Sequence, residues 1–181
     1  MSKIYISSDE HFHHKNIIKL CNRPFDSVEQ MNQVLIDNIN EVVGPDDTFY
    51  ILGDFCWRFD QGWKILDQIN CNNIHFIYGN HDPDPTDKRI RFYNHPKIKW
   101  HGQYKEIFVD GKRFVLFHYP IESWNGMHRG STALNGHDHT LKQYDHQFKK
   151  FNIGVDANAF KPVLLDDIVE FFSKRKVALL T

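Results

Sequence analysis

The chain has 181 residues, of which 41% are hydrophobic and 25% charged, which suits one soluble globular domain spanning 1–181 and leaves too little chain for two comfortable cores. A formal net charge of -1 gives no global attraction for nucleic acid or an anionic membrane, and there is no apolar run of about 18 residues to span a bilayer. The three cysteines, Cys21, Cys56 and Cys71, form no C-x-x-C pair; this speaks against a disulfide framework or a thiolate zinc site and, with no signal-peptide layout, for a reducing cytoplasm.

Taken in order, Lys3–Ser8 is a short β-branched and aromatic run expected as a central strand, followed by a histidine-rich loop and a short helix at Asn16–Cys21. Ser27-Val28-Glu29-Gln30 is a capping-box signature. Behind it Val28, Met31, Leu35, Ile39 and Val42 recur at helical spacing, which predicts an amphipathic helix over Ser27–Val43. Thr48–Leu52 reads as the second strand, Gln61–Asn70 as the next helix, and Ile74–Tyr78 as the third strand. The region Pro83–Pro96, with three prolines, reads as loop with one helical turn; its charge run Lys88-Arg89-Ile90-Arg91 suits a solvated face better than a nucleic-acid contact. Asp110-Gly111 between Lys105–Val109 and Lys112–Phe117 signals a hairpin, so the second half is expected to be antiparallel or mixed sheet. Thr132–Asn135 and Phe148–Val155 are further strands, and Leu165–Lys174 a final helix.

Five of these runs end in chemically capable residues. Lys3–Ser8 leads to Asp9-Glu10-His11, Thr48–Leu52 to Gly53-Asp54, Ile74–Tyr78 to Gly79-Asn80-His81-Asp82, Arg113–Phe117 to His118, and Thr132–Asn135 to Gly136-His137-Asp138-His139. Taken together, Asp9, His11, Asp54, Asn80, His118, His137 and His139 are a carboxylate, amide and imidazole set without thiolate, which suits Mn²⁺, Fe or Zn²⁺. Seven ligands exceed one ion and serve two if a carboxylate bridges, and such a pair can clamp the attacking and leaving oxygens of a displacement at phosphorus. Asp9-x-His11 and His137-x-His139 would each point two side chains the same way if their segments are extended. His81, beside Asn80, is better placed to give a proton or stabilise phosphate charge. His13, His14, Lys15 and Asn16 share the first ligand loop and are candidates to touch substrate, although solvated loop residues look the same.

In this order, D-x-H, G-D, G-N-H-D, a lone H after a strand and G-H-x-H resemble the calcineurin-like metallophosphoesterases, most closely their small single-domain bacterial and phage members, from Lys3 to about Asp156. The resemblance implies an α/β fold, a four-layer αββα sandwich of two mixed sheets flanked by helices, with a dinuclear centre at the sheet ends. Asp9, His11 and His139 would hold one metal, Asn80, His118 and His137 the other, and Asp54 would bridge. His81 would face the scissile phosphate and Arg58 would bind its oxygens. Where many relatives carry an acidic residue that orients the catalytic histidine, this chain has Trp57, which leaves that task to Asp82 or a ligand-shell carboxylate. The expected activity is hydrolysis of phosphate mono- or diesters, such as nucleotides or cyclic nucleotides, with two divalent ions: Mn²⁺ first, with Fe, Zn²⁺ or Ni²⁺ as alternatives. The expected partner is a small phosphate ester, not a membrane. A nuclease acting on nucleic-acid ends and a catalytically silent metal-binding scaffold are the competing readings.

Overall fold

The computed structural model describes residues 2–87, 91–175 and 178; Lys88, Arg89 and Ile90 of the charge run lie outside them. The strands in chain order are β1 (Ile4–Ser7), β2 (Thr48–Leu52), β3 (Asn73–Ile77), β4 (Ile98–Gly102), β5 (Tyr104–Val109), β6 (Lys112–Phe117), β7 (Thr132–Asn135), β8 (Lys150–Asn152) and β9 (Val163–Leu164). The α-helices are α1 (Ile17–Leu20), α2 (Val28–Val42), α3 (Phe59–Gln68) and α4 (Leu165–Ser173). The first sheet has the order β4-β3-β2-β1-β9, parallel except for β9. The second, β5-β6-β7-β8, has an antiparallel hairpin and two parallel pairings. The hairpin turns at Asp110-Gly111, both at positive φ as that dipeptide predicts.

Alternation with period two sorts the strand side chains into layers. One face of the first sheet sends Phe49, Ile51 and Phe76 against Met31, Leu35 and Ile39 of α2 and Leu66 of α3. The other sends Ile6, Tyr50, Leu52 and Ile77 against Ile107, Phe114, Leu116, Leu134 and Phe151 of the second sheet, and Leu165, Ile168 and Phe172 of α4 join that layer. On the outer face of the second sheet, Val115, Ala133 and Phe148 pack with Trp124, beside the 3₁₀ turn Met127–Arg129. These are two mixed sheets flanked by helices, the arrangement implied by the motif order.

Helix α2 starts where its cap says it should: Ser27 Oγ accepts from the Gln30 amide at 3.1 Å, and Gln30 Oε1 reaches back to the Asp26 amide at 2.7 Å, an arrangement worth about 1 kcal/mol. Helix α3 begins two residues earlier than its apolar spacing indicates, at Phe59, and ends at Gln68. The run expected as a strand over Phe148–Val155 keeps only Lys150–Asn152, because Val155 opens a 3₁₀ turn whose first amide donates to Ser8 O. Strands β4 and β9 are additions at the two edges of the first sheet. The expected turn in the proline-rich region is Phe92–Asn94, which buries Phe92 and Tyr93. No helix among the described residues is long and apolar enough to cross a membrane.

Candidate metal centre

Strands β1, β2 and β3 are parallel to one another, as are β6, β7 and β8, so each set delivers its C-terminal loops at one edge. Backbone bonds lace those loops together. The amides of Asp9, His11 and Phe12 donate to the carbonyls of Gly53, Asp54 and Phe55, Gly136 donates to His118, and Val155 to Ser8. Two glycines allow the close approach. A Cβ on Gly79 would lie 2.6 Å from the Asp54 amide nitrogen, and one on Gly136 would lie 2.7 Å from Ser8 Cβ.

Asp9, His11, Asp54, His137 and His139 all have positive φ, between 50° and 79°, a region that costs a non-glycine residue roughly 1–2 kcal/mol. The extended geometry expected for Asp9-x-His11 and His137-x-His139 is therefore corrected. Each pair still turns inward, because left-handed residues strapped to neighbouring loops aim the side chains. Asn80 and His81 likewise sit in a turn rather than an extended segment.

Two clusters result, each with ligand atoms within 4.8 Å of one another: Asp9, His11 and His139, and Asp54, His118 and His137. In the first, Nε2 of His11 and Nε2 of His139 are 3.2 Å apart. In the second, His118 Nε2 lies 3.2 Å from His137 Nδ1 and 3.1 Å from Asn80 Oδ1. Asp54 Oδ2 stands between the clusters, 3.5 Å from His11 Nε2 and 3.6 Å from His118 Nε2. Nitrogens and oxygens converging this closely form a donor set that fits divalent cations.

The surroundings favour neutral, ligating imidazoles. Burial holds His11, His118 and His137 below the ordinary imidazole range. Nδ1 of His118 lies 2.7 Å from the Leu52 carbonyl, which can only accept, so the proton sits on Nδ1 and Nε2 keeps its lone pair for the cluster. His139 Nδ1 is 2.8 Å from Asp156 Oδ2. Burial would depress that ring, but the Asp156 hydrogen bond and the Asp9 charge outweigh it and raise its pKa. Asp9 is pushed up to about 6 by burial, against the pull of His139.

The remaining expected residues are placed differently. The His81 amide donates to Asp54 Oδ1 at 2.9 Å, and its ring lies 5.4 Å from the His11 ring, with no hydrogen bond to it among the described residues. Asp82 does not orient that ring. Its carboxylate accepts from the amides of Gly79, Asp54 and Phe55 at 2.6–3.1 Å, clamping the third-strand loop to the second, and burial raises it to about 7 despite those donors. Arg58 stands at the N-cap of α3 without a side-chain capping hydrogen bond, is mostly exposed, and donates to Asp60 in the first turn at 3.2 Å. The ring against His81 is Trp57, at 5.2 Å, itself stacked on His14 at 4.1 Å and 7°.

Sequence reasoning missed Arg23 and Asp156. Arg23 Nε and Nη2 grip both oxygens of Asp156 at 2.8 and 2.9 Å, while Nη2 and Nη1 also donate to the carbonyls of Asp9 and Glu10. Asp156 follows the last strand of the second sheet, so the rule that found the other acids and imidazoles at strand ends would have found it too. Nothing in the sequence around Arg23 distinguishes it. Cys21 also lies within reach of His139 and Asp156.

No family model matches the chain. An uncharacterized protein of Methanocaldococcus jannaschii, MJ1445, is 36% identical to it, with 98% of this chain and 95% of that one aligned. The crystal structure of AQ665 from Aquifex aeolicus, a protein of unknown function, superposes with a TM-score of 0.73 at 26% identity, covering 94% of this chain and 100% of that one. An archaeal phosphodiesterase gives a TM-score of 0.49 at 21% identity over 84% of this chain and 83% of that one. With more than a third of its residues shared along nearly the whole of both chains, the protein belongs to the family of MJ1445.

Proposed function

We propose that the protein is a metal-dependent phosphoesterase of the calcineurin-like kind, in which Asp9, His11 and His139 hold one divalent ion, Asn80, His118 and His137 a second, and Asp54 bridges. The observation that carries this reading is the position of Asp54 Oδ2, at 3.5 and 3.6 Å from ring nitrogens that belong to different clusters. A carboxylate oxygen shared in this way would serve both cations, whose chemistry at a phosphate is to offset its charge. The oxygen and nitrogen donor set favours Mn²⁺, with Fe, Zn²⁺ or Ni²⁺ as alternatives. When bound, such ions neutralise charge at phosphorus and lower the pKa of water.

The chain's own groups supply the rest. His81 has a ring free of hydrogen bonds among the described residues and lies over the His11 side of the cluster, where it can donate a proton to the leaving oxygen. Arg58, at the rim, would exchange its exposed partner Asp60 for phosphate oxygens; such a surface pair is weak enough to give up. Asp82 keeps the loops of Asp54 and His81 in register. The substrates are small phosphate esters. The test is a screen of mono-, di- and cyclic phosphate esters after exhaustive chelation and again with Mn²⁺ restored. Hydrolysis should appear only with the metal, and full activity in chelator would overturn the reading.

A further inference from the structure

Two exposed aromatic rings border the paired clusters: Trp57, 48% exposed, against His81 beside the first cluster, and Tyr119, 38% exposed, against His118 and His137 of the second. The Trp57 ring meets the rings of His14 and His81, and the Tyr119 ring meets those of His118 at 5.0 Å and His137 at 4.7 Å. Between them the side chains follow in sequence from His81 to His11, Asp54, His118 and His137.

Trp57 is anchored through its backbone and one ring face. Its amide donates to Phe12 O at 2.8 Å, Cys56 before it bridges to Phe12, and its indole lies flat on the buried His14 imidazole. One face is thus backed by protein while about half of the side chain stays in water. A large aromatic fixed in advance loses little conformational freedom when a second ring stacks on it. Neither platform brings a hydrogen-bonding code for particular bases, and stacking accepts any planar heterocycle. With a net charge of -1 the surface has no general pull on a long polyanion, so a short ligand suits it best.

Resting on the phosphoesterase reading, we infer that the substrate is a phosphodiester carrying a planar heterocycle on each arm, of the dinucleoside phosphate class. The leaving arm stacks on Trp57, beside His81, and the retained arm lies against Tyr119. In the reaction, water gives its oxygen to phosphorus and the P–O bond to the Trp57 arm breaks, with the electron pair going to the leaving oxygen. That oxygen takes a proton from His81, which is replaced by the proton that the water releases.

The experiment compares wild type with Trp57→Leu, Trp57→Phe and Tyr119→Leu on a dinucleoside phosphate, a nucleoside methyl phosphate and a dialkyl phosphodiester without rings. Affinity for a dinucleoside phosphonate, with the bridging oxygen replaced by carbon so that it cannot turn over, is measured in parallel by calorimetry. Each leucine variant should lower the preference for the dinucleoside over the ring-free ester about tenfold, chiefly through KM, and weaken the phosphonate by a similar factor; Trp57→Phe should restore most of both. A loss of kcat equal on all three esters, with phosphonate affinity intact, would make Trp57 a positioning residue for His81 and overturn the inference. Unchanged kinetics and affinity in both leucine variants would overturn it as well. Failure of the wild type on all three diesters with Mn²⁺, while a phosphate monoester is hydrolysed, would overturn the inference and leave the phosphoesterase reading standing; failure on mono-, di- and cyclic esters alike would bring down that reading.

Discussion

The two ligand clusters are built from the same kinds of residue at the same kind of place, yet they are backed differently. Behind His139 stands Asp156, and behind Asp156 the buried Arg23, which also draws in the carbonyls of Asp9 and Glu10. Behind His118, among the described residues, stands the Leu52 carbonyl. A carboxylate behind an imidazole makes it more basic and a stronger ligand, while a carbonyl fixes its tautomer and adds little else. The first cluster also owns a carboxylate, Asp9; the second shares Asp54 and completes its set with the neutral Asn80. Strand-end delivery decides where the candidate ligands go, and on the proposed metal-centre reading the layer behind them would decide how tightly each site holds a cation. The first site is expected to be the tighter.

The largest effect should come from the group the clusters share. Asp54→Asn removes the charge lying between His11 and His118, and it should abolish both retention of two ions and hydrolysis; a variant that still carries two metals after gel filtration would show that the clusters are independent. Next comes His81→Ala, which belongs to neither cluster. It should keep both ions and slow turnover by about 10²–10⁴-fold, the loss being greater for alkyl or ribose leaving groups than for nitrophenyl. Loss of metal in this variant would make His81 a ligand.

Much of this centre was legible in the chain. Aspartate, asparagine or histidine at the ends of apolar runs pointed to Asp9, His11, Asp54, Asn80, His118, His137 and His139, and the structure brings these side chains together in the two neighbouring clusters. What was not legible has physical causes. β4 alternates half-buried and exposed residues and is a strand only because β3 offers an open edge. The left-handed backbone of the ligand loops is imposed by bonds between loops far apart in sequence. Arg23 follows α1 in an ordinary polar turn, and its role arises only when Asp156, 133 residues on, folds back against it.

A smaller effect would sharpen the comparison itself. Asp156→Asn leaves a group that can still touch His139 but carries no charge, so affinity for one of the two ions should fall about 10–100-fold while the other is retained. Two-step metal titration would resolve this. Because Arg23 then loses its partner in a buried site, the apo protein should also lose about 3–5 kcal/mol of stability. Equal weakening of both sites would mean that the layer behind the first cluster does not set the asymmetry.

The smallest effect concerns a second acid behind the first cluster. Glu10 is wholly buried, its Oε1 hydrogen-bonded by Ser7 Oγ and its Oε2 without a partner among the described residues. Burial raises its carboxyl from 4.5 to about 8, against the pull of the Ser7 hydrogen bond. The folded apo chain therefore keeps a proton that the unfolded chain releases near pH 4.5. The stability linked to this group is complete below that pH and drains away as pH rises toward 8, by at most about 1.4 kcal/mol per pH unit. Asp9 and Asp82 add slopes of the same sign, but they end near pH 6 and 7. The raised His139 ring also loses its contribution above pH 6.5, but that slope is common to wild type and a Glu10 variant, so their difference from pH 7 to 8 reports Glu10. Asp156 has the opposite sign: burial opposes its charge, but His139 and Arg23 hold its carboxyl below the ordinary range, so its contribution is present above pH 3.8 and is lost on acidification. Glu10→Gln keeps an acceptor for Ser7 and removes the titration. Denaturant midpoints of the metal-free variant should then be flatter than wild type between pH 7 and 8 and equal to it in their acid limb, and parallel profiles above pH 7 would show that Glu10 is already ionised in the fold.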